Sequence, residues 1–282
     1  MKKILIFLFV TAIFGTIKAQ TAEIKYSEQD VKIFEAAINK IIAESKSVEY
    51  SDLVAAAGMY FLGTPYVGHT LEGETETMVI NLRELDCTTY LENVVTLAIL
   101  AKQGKTDFDS YVQQLKNLRY RNGEVDGYGS RIHYSSDWIL TNETRGFVKN
   151  ITKEIGGEPY TKKINFMTKN RDKYPRLADE KTFEIIKQSE ENLNTHQHYY
   201  IPKAKVAAIE KNIESGDLIG ITCTTDGLDI THVGLAIKQN GRIHFMHAPM
   251  SGEKVTISPE PLHDYLARHK GNTGIMVTRV VY

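Results

Sequence analysis

Two residues of this 282-residue chain stand in surroundings that suit covalent chemistry, Cys87 and His232. Cys87 follows Asp86 and precedes Thr88, Thr89, Tyr90, Leu91 and Glu92, a run that starts a helix with Asp86 as its N-cap. A cysteine in the first helical turn lies among unpaired N–H groups at the positive end of the helix dipole, and both favour a thiolate. The position therefore predicts a lowered thiol pKa and a nucleophile. The competing reading is a small residue that merely falls near a helix start. His232 lies in the run 231–237, which alternates as a strand, with His232, Gly234 and Ala236 on one face and Val233, Leu235 and Ile237 on the other. A face of His, Gly and Ala leaves room for a second element close above it. The helix carrying Cys87 is expected to fill that place. A third polar group should hold the other ring nitrogen of His232. His244 and His247 have opposite parity along 242–248, so a regular strand aims only one of them at His232. The residues alone leave both open, and the chemistry needs no metal or cofactor.

These groups need a scaffold, and the pattern supplies one. Ser27 with Asp30 reads as a capping pair ahead of an apolar stripe at Val31, Phe34, Ile38, Ile41 and Ile42. Ser51 opens a second helix closing at Gly63, Asp86 a third, and Asp107 a fourth that runs to Leu118. Residues 119–134 read as a long loop, and 135–211 as helices broken by an irregular stretch at 156–175. From 218 the texture changes to short β-prone runs at 218–223, 232–238, 242–248, 254–257 and 274–281, with one helix from Pro259 to Arg268. Helices first and a strand meander last predict an α+β fold with an antiparallel sheet.

Longer stretches carry a resemblance. Gly63-Thr64-Pro65-Tyr66-Val67-Gly68, Asp86-Cys87-Thr88-Thr89, Gly216-Asp217-Leu218-Ile219, His232-Val233-Gly234 and His247-Ala248 occur in this order and resemble the NlpC-type, papain-like cysteine peptidases. The segment 82–91, the segment 126–138 and Asn272-Thr273-Gly274-Ile275 are similar to the N-acetylmuramoyl-L-alanine amidase-like branch. The resemblance covers nearly all of the chain beyond its first twenty residues. It implies a helix carrying the nucleophile packed on a C-terminal sheet, with a helical and loop insertion at about 105–212. It further implies Cys87 as nucleophile, His232 as base, His247 as third polar residue and Tyr66 beside the nucleophile. The common spacing from the base would land on His244, but the pair His247-Ala248 favours His247. Many members carry Ser where Thr88 stands, which keeps the hydroxyl. The implied reaction is hydrolysis of a peptidoglycan amide, with the N-acetylmuramoyl-L-alanine bond preferred over the γ-D-glutamyl-diamino acid bond and over a non-catalytic envelope-binding role. Its partners would be peptidoglycan fragments or stem peptides.

Composition is consistent with these expectations and narrows them. Lys2 and Lys3, the apolar run 4–13 and the small residues before Gln20 read as an export signal over 1–19, leaving 20–282 as one catalytic domain. An apolar run of about 12 residues is short of the roughly 20 that span a bilayer. A periplasmic or extracellular location follows, with no membrane span after cleavage. A formal net charge of -1 and no basic stripe argue against nucleic acid. Two cysteines make no disulfide scaffold, so Cys87 and Cys223 form at most one bridge, and Cys223 reads as a small core residue. His196 and His198 lack further ligands at metal spacing. Asp217 and Asp226 read as strand-edge and turn residues. The loop and helix start holding Tyr128, Arg131, His133, Tyr134, Asp137 and Trp138 combine aromatic faces with a guanidinium, which suits sugar rings and carboxylates. These six, with Tyr66, are the expected substrate-binding residues.

Overall fold

Local signals place the helices. The computed structural model describes residues 23–45, 47, 49–251 and 253–282; the expected export signal over 1–19 lies outside the described residues. Strand β1 (Ile24–Lys25) leads to α1 (Glu28–Glu44), whose capping box is the one the sequence predicts: Asp30 N–H donates to Ser27 Oγ, and Ser27 N–H donates to Asp30 Oδ2 at 2.8 Å. Helix α2 (Tyr50–Tyr60) starts one residue before Ser51 and stops short of Gly63, which sits beyond it in a turn at φ 86°. Strand β2 (Met78–Val79) pairs in parallel with β1. Helix α3 (Cys87–Gln103) is buried from Thr89 through Leu100, the mark of a central helix rather than an amphipathic one. Helix α4 (Phe108–Arg119) is capped by Asp107, as expected.

The stretch expected to be a loop, 119–134, is ordered by two short 3₁₀ turns and an antiparallel bridge between Tyr120 and Arg131. Then come α5 (Ser135–Thr144), β3 (Val148–Asn150), β4 (Glu158–Tyr160), α6 (Phe166–Lys169), α7 (Glu180–Thr195), β5 (His198–Pro202) and α8 (Val206–Ile209). The C-terminal part contributes β6 (Leu218–Cys223), β7 (Ile230–Gln239), β8 (Arg242–His247), β9 (Thr256–Pro261), α9 (Leu262–Arg268) and β10 (Asn272–Val280). The strand expected at 254–257 instead runs through Pro259, and the helix expected from Pro259 begins at Leu262. Proline is tolerated there because β9 is the edge strand, where a missing N–H breaks no ladder.

The main sheet has the order β4-β5-β10-β6-β7-β8-β9, with β3 also on β10, and every one of these pairings is antiparallel. The fold is a mixed α+β one, with helices α1 to α4 on one face of the sheet. Strands β3, β4 and β5 come from the region expected as an insertion, and they extend the sheet. Alternation divides the faces. Leu218, Val233, Leu235, Met246 and Met276 join the core under α2 and α3, whereas Ile219, Ile221, Ala236, Phe245 and Val277 join a second core with Leu262 and Leu266 of α9. This corrects one expectation. Helix α3 covers the Val233–Leu235 face of β7, and the His232–Gly234–Ala236 face turns towards β8 and α9.

Asp30 does more than cap. Fully buried, it also accepts from Leu82 N–H at 2.9 Å and pairs with Arg83 at 3.1 Å, tying α1 to the segment that delivers α3. Burial alone would raise its pKa, but hydrogen bonds from Ser27, Leu82 and Arg83 hold it below the usual carboxylate value of 3.8. Its contribution is therefore present above pH 3.8 and lost as pH falls through the lower native value. Asp30→Ala should cost about 2–3 kcal/mol in urea unfolding at pH 7, a cap and a buried acceptor together. The gap from the parent should narrow below pH 3.8; a gap that stays constant there would contradict this account.

Candidate active site

The chain entering α3 is held by backbone pairing. Leu85 N–H donates to Pro65 O at 2.9 Å and Val67 N–H donates to Leu85 O at 3.2 Å, so the Tyr66 segment lies beside the start of the helix. Asp86 then caps it: Thr89 N–H and Thr89 Oγ1 both donate to Asp86 Oδ1 at 2.8 Å, and Asp86 N–H donates back to Thr89 Oγ1 at 2.9 Å. Cys87, the first helical residue, is half-buried, and it and Cys223 are both free thiols, so no bridge joins them.

The thiol does not have the lowered pKa that its position predicts. Burial, and after it the Asp86 carboxylate, push it up to about 11, against the opposing effects of the Val233 N–H and of the hydroxyl and N–H of Thr88. Burial is the larger cause and the cap adds to it. The N-cap that starts the helix is itself an anion beside the sulfur, and desolvation outweighs the hydrogen bonds. The same interactions place the neighbours: Tyr66 on one side, Val233 of β7 on another, and Tyr265 of α9, whose phenol is raised by burial, then Glu260, then Cys87.

His232 sits one residue before Val233. Its Nε2 lies 2.7 Å from His247 Nδ1. His247 is therefore the histidine that the strand geometry aims at His232. His244 faces the other way, its Nδ1 2.9 Å from Ser258 O. The bond fixes tautomers. For His232 to accept a proton at its remaining nitrogen, Nδ1, its Nε2 must carry the hydrogen, and His247 must accept at Nδ1 and be protonated at Nε2. Both rings are held neutral. Burial, then the nearby His269, lower His232 to about 4, and burial, then His232 and His269, lower His247 to about 3.

Close packing makes the contact. Phe245 stacks on His247 at 4.5 Å between ring centroids, and Tyr265 meets the edge of His247 at 5.3 Å. A Cβ at Gly234 would lie 2.8 Å from His247 Cβ, 2.7 Å from Phe245 Cε2 and 2.6 Å from Met246 O. The glycine is thus explained by a close neighbour, as expected, but the neighbour is β8 and not α3. Tyr265 carries no sequence signal, since nothing in 262–268 distinguishes it from an ordinary amphipathic helix; the folded sheet alone brings it to the histidines.

The expected substrate-binding residues divide. A cleft of about 190 Å³ is lined by Asp86 and Thr88, which flank Cys87, and by Tyr66, Glu72, Arg131 and His133. Arg131 is already committed to Glu72 and Glu76, each at 2.9 Å, and packs over Tyr128. Tyr128 in turn packs against the His133 ring at 4.3 Å and so forms the wall behind both. Tyr134 donates to Glu190 at 2.6 Å, and Asp137 is paired with Arg121 and Ser189, so both are buried and spent on internal bonds. Trp138 is buried and stands outside the lining of this cleft. Elsewhere, Asp217 stands just before the start of β6, where it is buried and accepts from Arg279 Nε at 2.7 Å. Asp226 is exposed beside Lys169, and His196 and His198 bond carbonyls of the last turn of α7. Among the described residues no cluster of His, Cys, Asp and Glu is arranged to hold a metal ion, and no helix is long and apolar enough to cross a membrane.

Residues 56–275 match the family described as N-acetylmuramoyl-L-alanine amidase-like. A solved N-acetylmuramoyl-L-alanine amidase from Bacteroides uniformis is similar at 35% identity, covering 81% of this chain and 99% of its own, with a TM-score of 0.76. A second structure of such an amidase from that organism matches at 32% identity over 90% of this chain and 100% of its own, with a TM-score of 0.75. A Legionella pneumophila protein at 24% identity, covering 90% of this chain and 95% of its own with a TM-score of 0.67, shares the fold. No curated protein matches the chain.

Asp86→Asn preserves the cap and removes the charge, so the thiol pKa should fall and alkylation by iodoacetamide at pH 8 should quicken several-fold. An unchanged rate profile would mean that desolvation alone sets the pKa. Gly234→Ala should displace β8, cost about 1–3 kcal/mol in thermal or urea unfolding, and part the two histidine rings. A wild-type transition for this variant would show that the strand pair is looser than the contacts require.

Proposed function

Because the chain belongs to the N-acetylmuramoyl-L-alanine amidase-like family, we propose that it hydrolyses the amide joining N-acetylmuramic acid to L-alanine in peptidoglycan fragments, with Cys87 as nucleophile. The observation that carries this reading is the 2.7 Å bond between His232 Nε2 and His247 Nδ1, set one residue from the Val233 N–H that acts on the Cys87 sulfur. That arrangement leaves His232 Nδ1 as the proton acceptor and gives it a neutral orienting partner. A papain-like, NlpC-type architecture fits: nucleophile at the start of a central helix, base and third residue on adjacent antiparallel strands.

In the proposed reaction His232 takes the thiol proton as sulfur attacks the amide carbonyl. Thiolate and imidazolium form together, so each meets an opposite charge that the resting neutral pair lacks. Thr89 and Tyr90 N–H are engaged by Asp86 and the Thr88 N–H by the Cys87 sulfur, which leaves the Cys87 N–H for the developing oxyanion. The imidazolium then protonates the departing amine, and water, deprotonated by His232, cleaves the thioester. The export-like first twenty residues support a periplasmic or extracellular location, where peptidoglycan is found, and a single catalytic domain over 20–282 suits the continuous sheet.

Mass spectrometry of muropeptide digests tests the bond. Free stem peptide beginning with L-Ala is expected; a fragment beginning with the diamino acid would move the assignment to a γ-D-glutamyl endopeptidase. Cys87→Ala should abolish turnover while leaving the melting transition nearly unchanged, and activity retained in that variant would overturn the nucleophile. Because His232 is depressed to about 4, it stays a competent base until the pH falls that far. The acid limb of kcat/KM should therefore lie near pH 4 and not near the ordinary histidine value of 6.5. A limb at 6.5 would contradict the buried, neutral pair.

A further inference from the structure

A narrow apolar slot adjoins the polar cleft beside Cys87, with Thr88, Glu92, Ile132 and His133 lining both. The slot lies between the first turns of α3 and the sheet, walled by Val233 and Ile230 of β7 and by Trp138 of α5, and its volume is about 40 Å³. A cavity of about 150 Å³ admits a benzene ring. This one is too small for a ring and large enough for a methyl or ethyl group. Two polar side-chain atoms in its lining are buried with no partner among the described residues: the indole Nε1 of Trp138, on a residue 6% exposed, and Oγ1 of Thr278, 1% exposed. Buried donors are nearly always paired, and an indole N–H can only donate, so this one lacks an acceptor oxygen.

We propose that the slot is the specificity subsite of the proposed amidase site: it receives a short alkyl group on the carbon next to the scissile amide, while the Trp138 indole donates to an adjacent oxygen. The inference rests on the reading of the site as an amidase. Two parts of the proposed substrate carry such a methyl group, the lactyl unit on the acyl side and L-alanine on the amine side. Both place it beside an oxygen, the ether or carbonyl of the lactyl unit and the carbonyl of alanine. A slot of this size accepts either and excludes a branched side chain.

Substrate series separate the sources. On muramyl-X-D-isoglutamine with X as Gly, Ala, Val or Leu, an amine-side subsite should lower kcat/KM about 10-fold from Ala to Gly and more than about 100-fold from Ala to Leu. On a substrate with glycolyl in place of lactyl, an acyl-side subsite should give the about 10-fold loss instead, with X tolerated. Ile230→Ala should widen the slot and raise relative acceptance of the bulkier group; Ile230→Val, a smaller perturbation of the core, should move it the same way to a lesser degree. Trp138→Phe should lower kcat/KM about 10-fold without altering the iodoacetamide reactivity of Cys87. Equal kcat/KM on every member of both series would overturn the slot while leaving an amidase. Cleavage of none would overturn the amidase reading, and the slot with it.

Discussion

The first turn of α3 is the constraint on which the rest of the site depends. One carboxylate, Asp86, satisfies the helix-start N–H of Thr89 and is held in return by the Thr89 hydroxyl. This sets the direction of the helix and therefore of Cys87. The same carboxylate opposes ionisation of the thiol, adding to the burial that is the larger reason the resting thiol is held so high. One group thus fixes the position of Cys87 and works against its ionisation, in the same direction as burial. A thiol held this way stays protonated at rest, so the proposed reaction depends on proton transfer to a partner and not on a standing thiolate.

That partner is defined by packing. His232 and His247 meet because Gly234 lets β8 close on β7, and Phe245 and Tyr265 cover the pair. Burial keeps both rings neutral, and this neutrality is what permits the donor–acceptor order the bond requires. A charged His247 would have no lone pair at Nδ1 to receive the His232 proton.

Behind the first turn, Glu92 and Arg119 form an ion pair at 2.7 Å with both side chains 2% exposed, and Arg119 Nη1 also donates to Val79 O at 2.6 Å. The pair locks α3 to α4 and to the strand ahead of the site. Removing one partner of such a pair commonly costs about 3–5 kcal/mol, because it strands a buried charge. Arg131 with Glu72 and Glu76 continues this belt to the cleft. The belt turns residues expected to meet substrate into walls of the cleft.

Much of this was legible in the amino acids. The caps at Ser27, Asp86 and Asp107, the change from helical to alternating periodicity near residue 218, and the crowded face implied by Gly234 are local signals, and local hydrogen bonds and sterics govern them. The stop of α2 ahead of Gly63 and the strand through Pro259 were not legible, because backbone pairing with distant chain acts there: Gly63 N–H donates to Val255 O, and β9 pairs with β8. Parity alone left the choice between His244 and His247 open; the family resemblance favoured His247, and the β7–β8 register sets that residue against His232. Tyr265 and the apolar slot exist only where α9, α5 and the sheet meet. The thiol pKa shows the divide most clearly: sequence supplied the helix start and its anionic cap, but burial, a property of the whole fold, decided which way the balance fell.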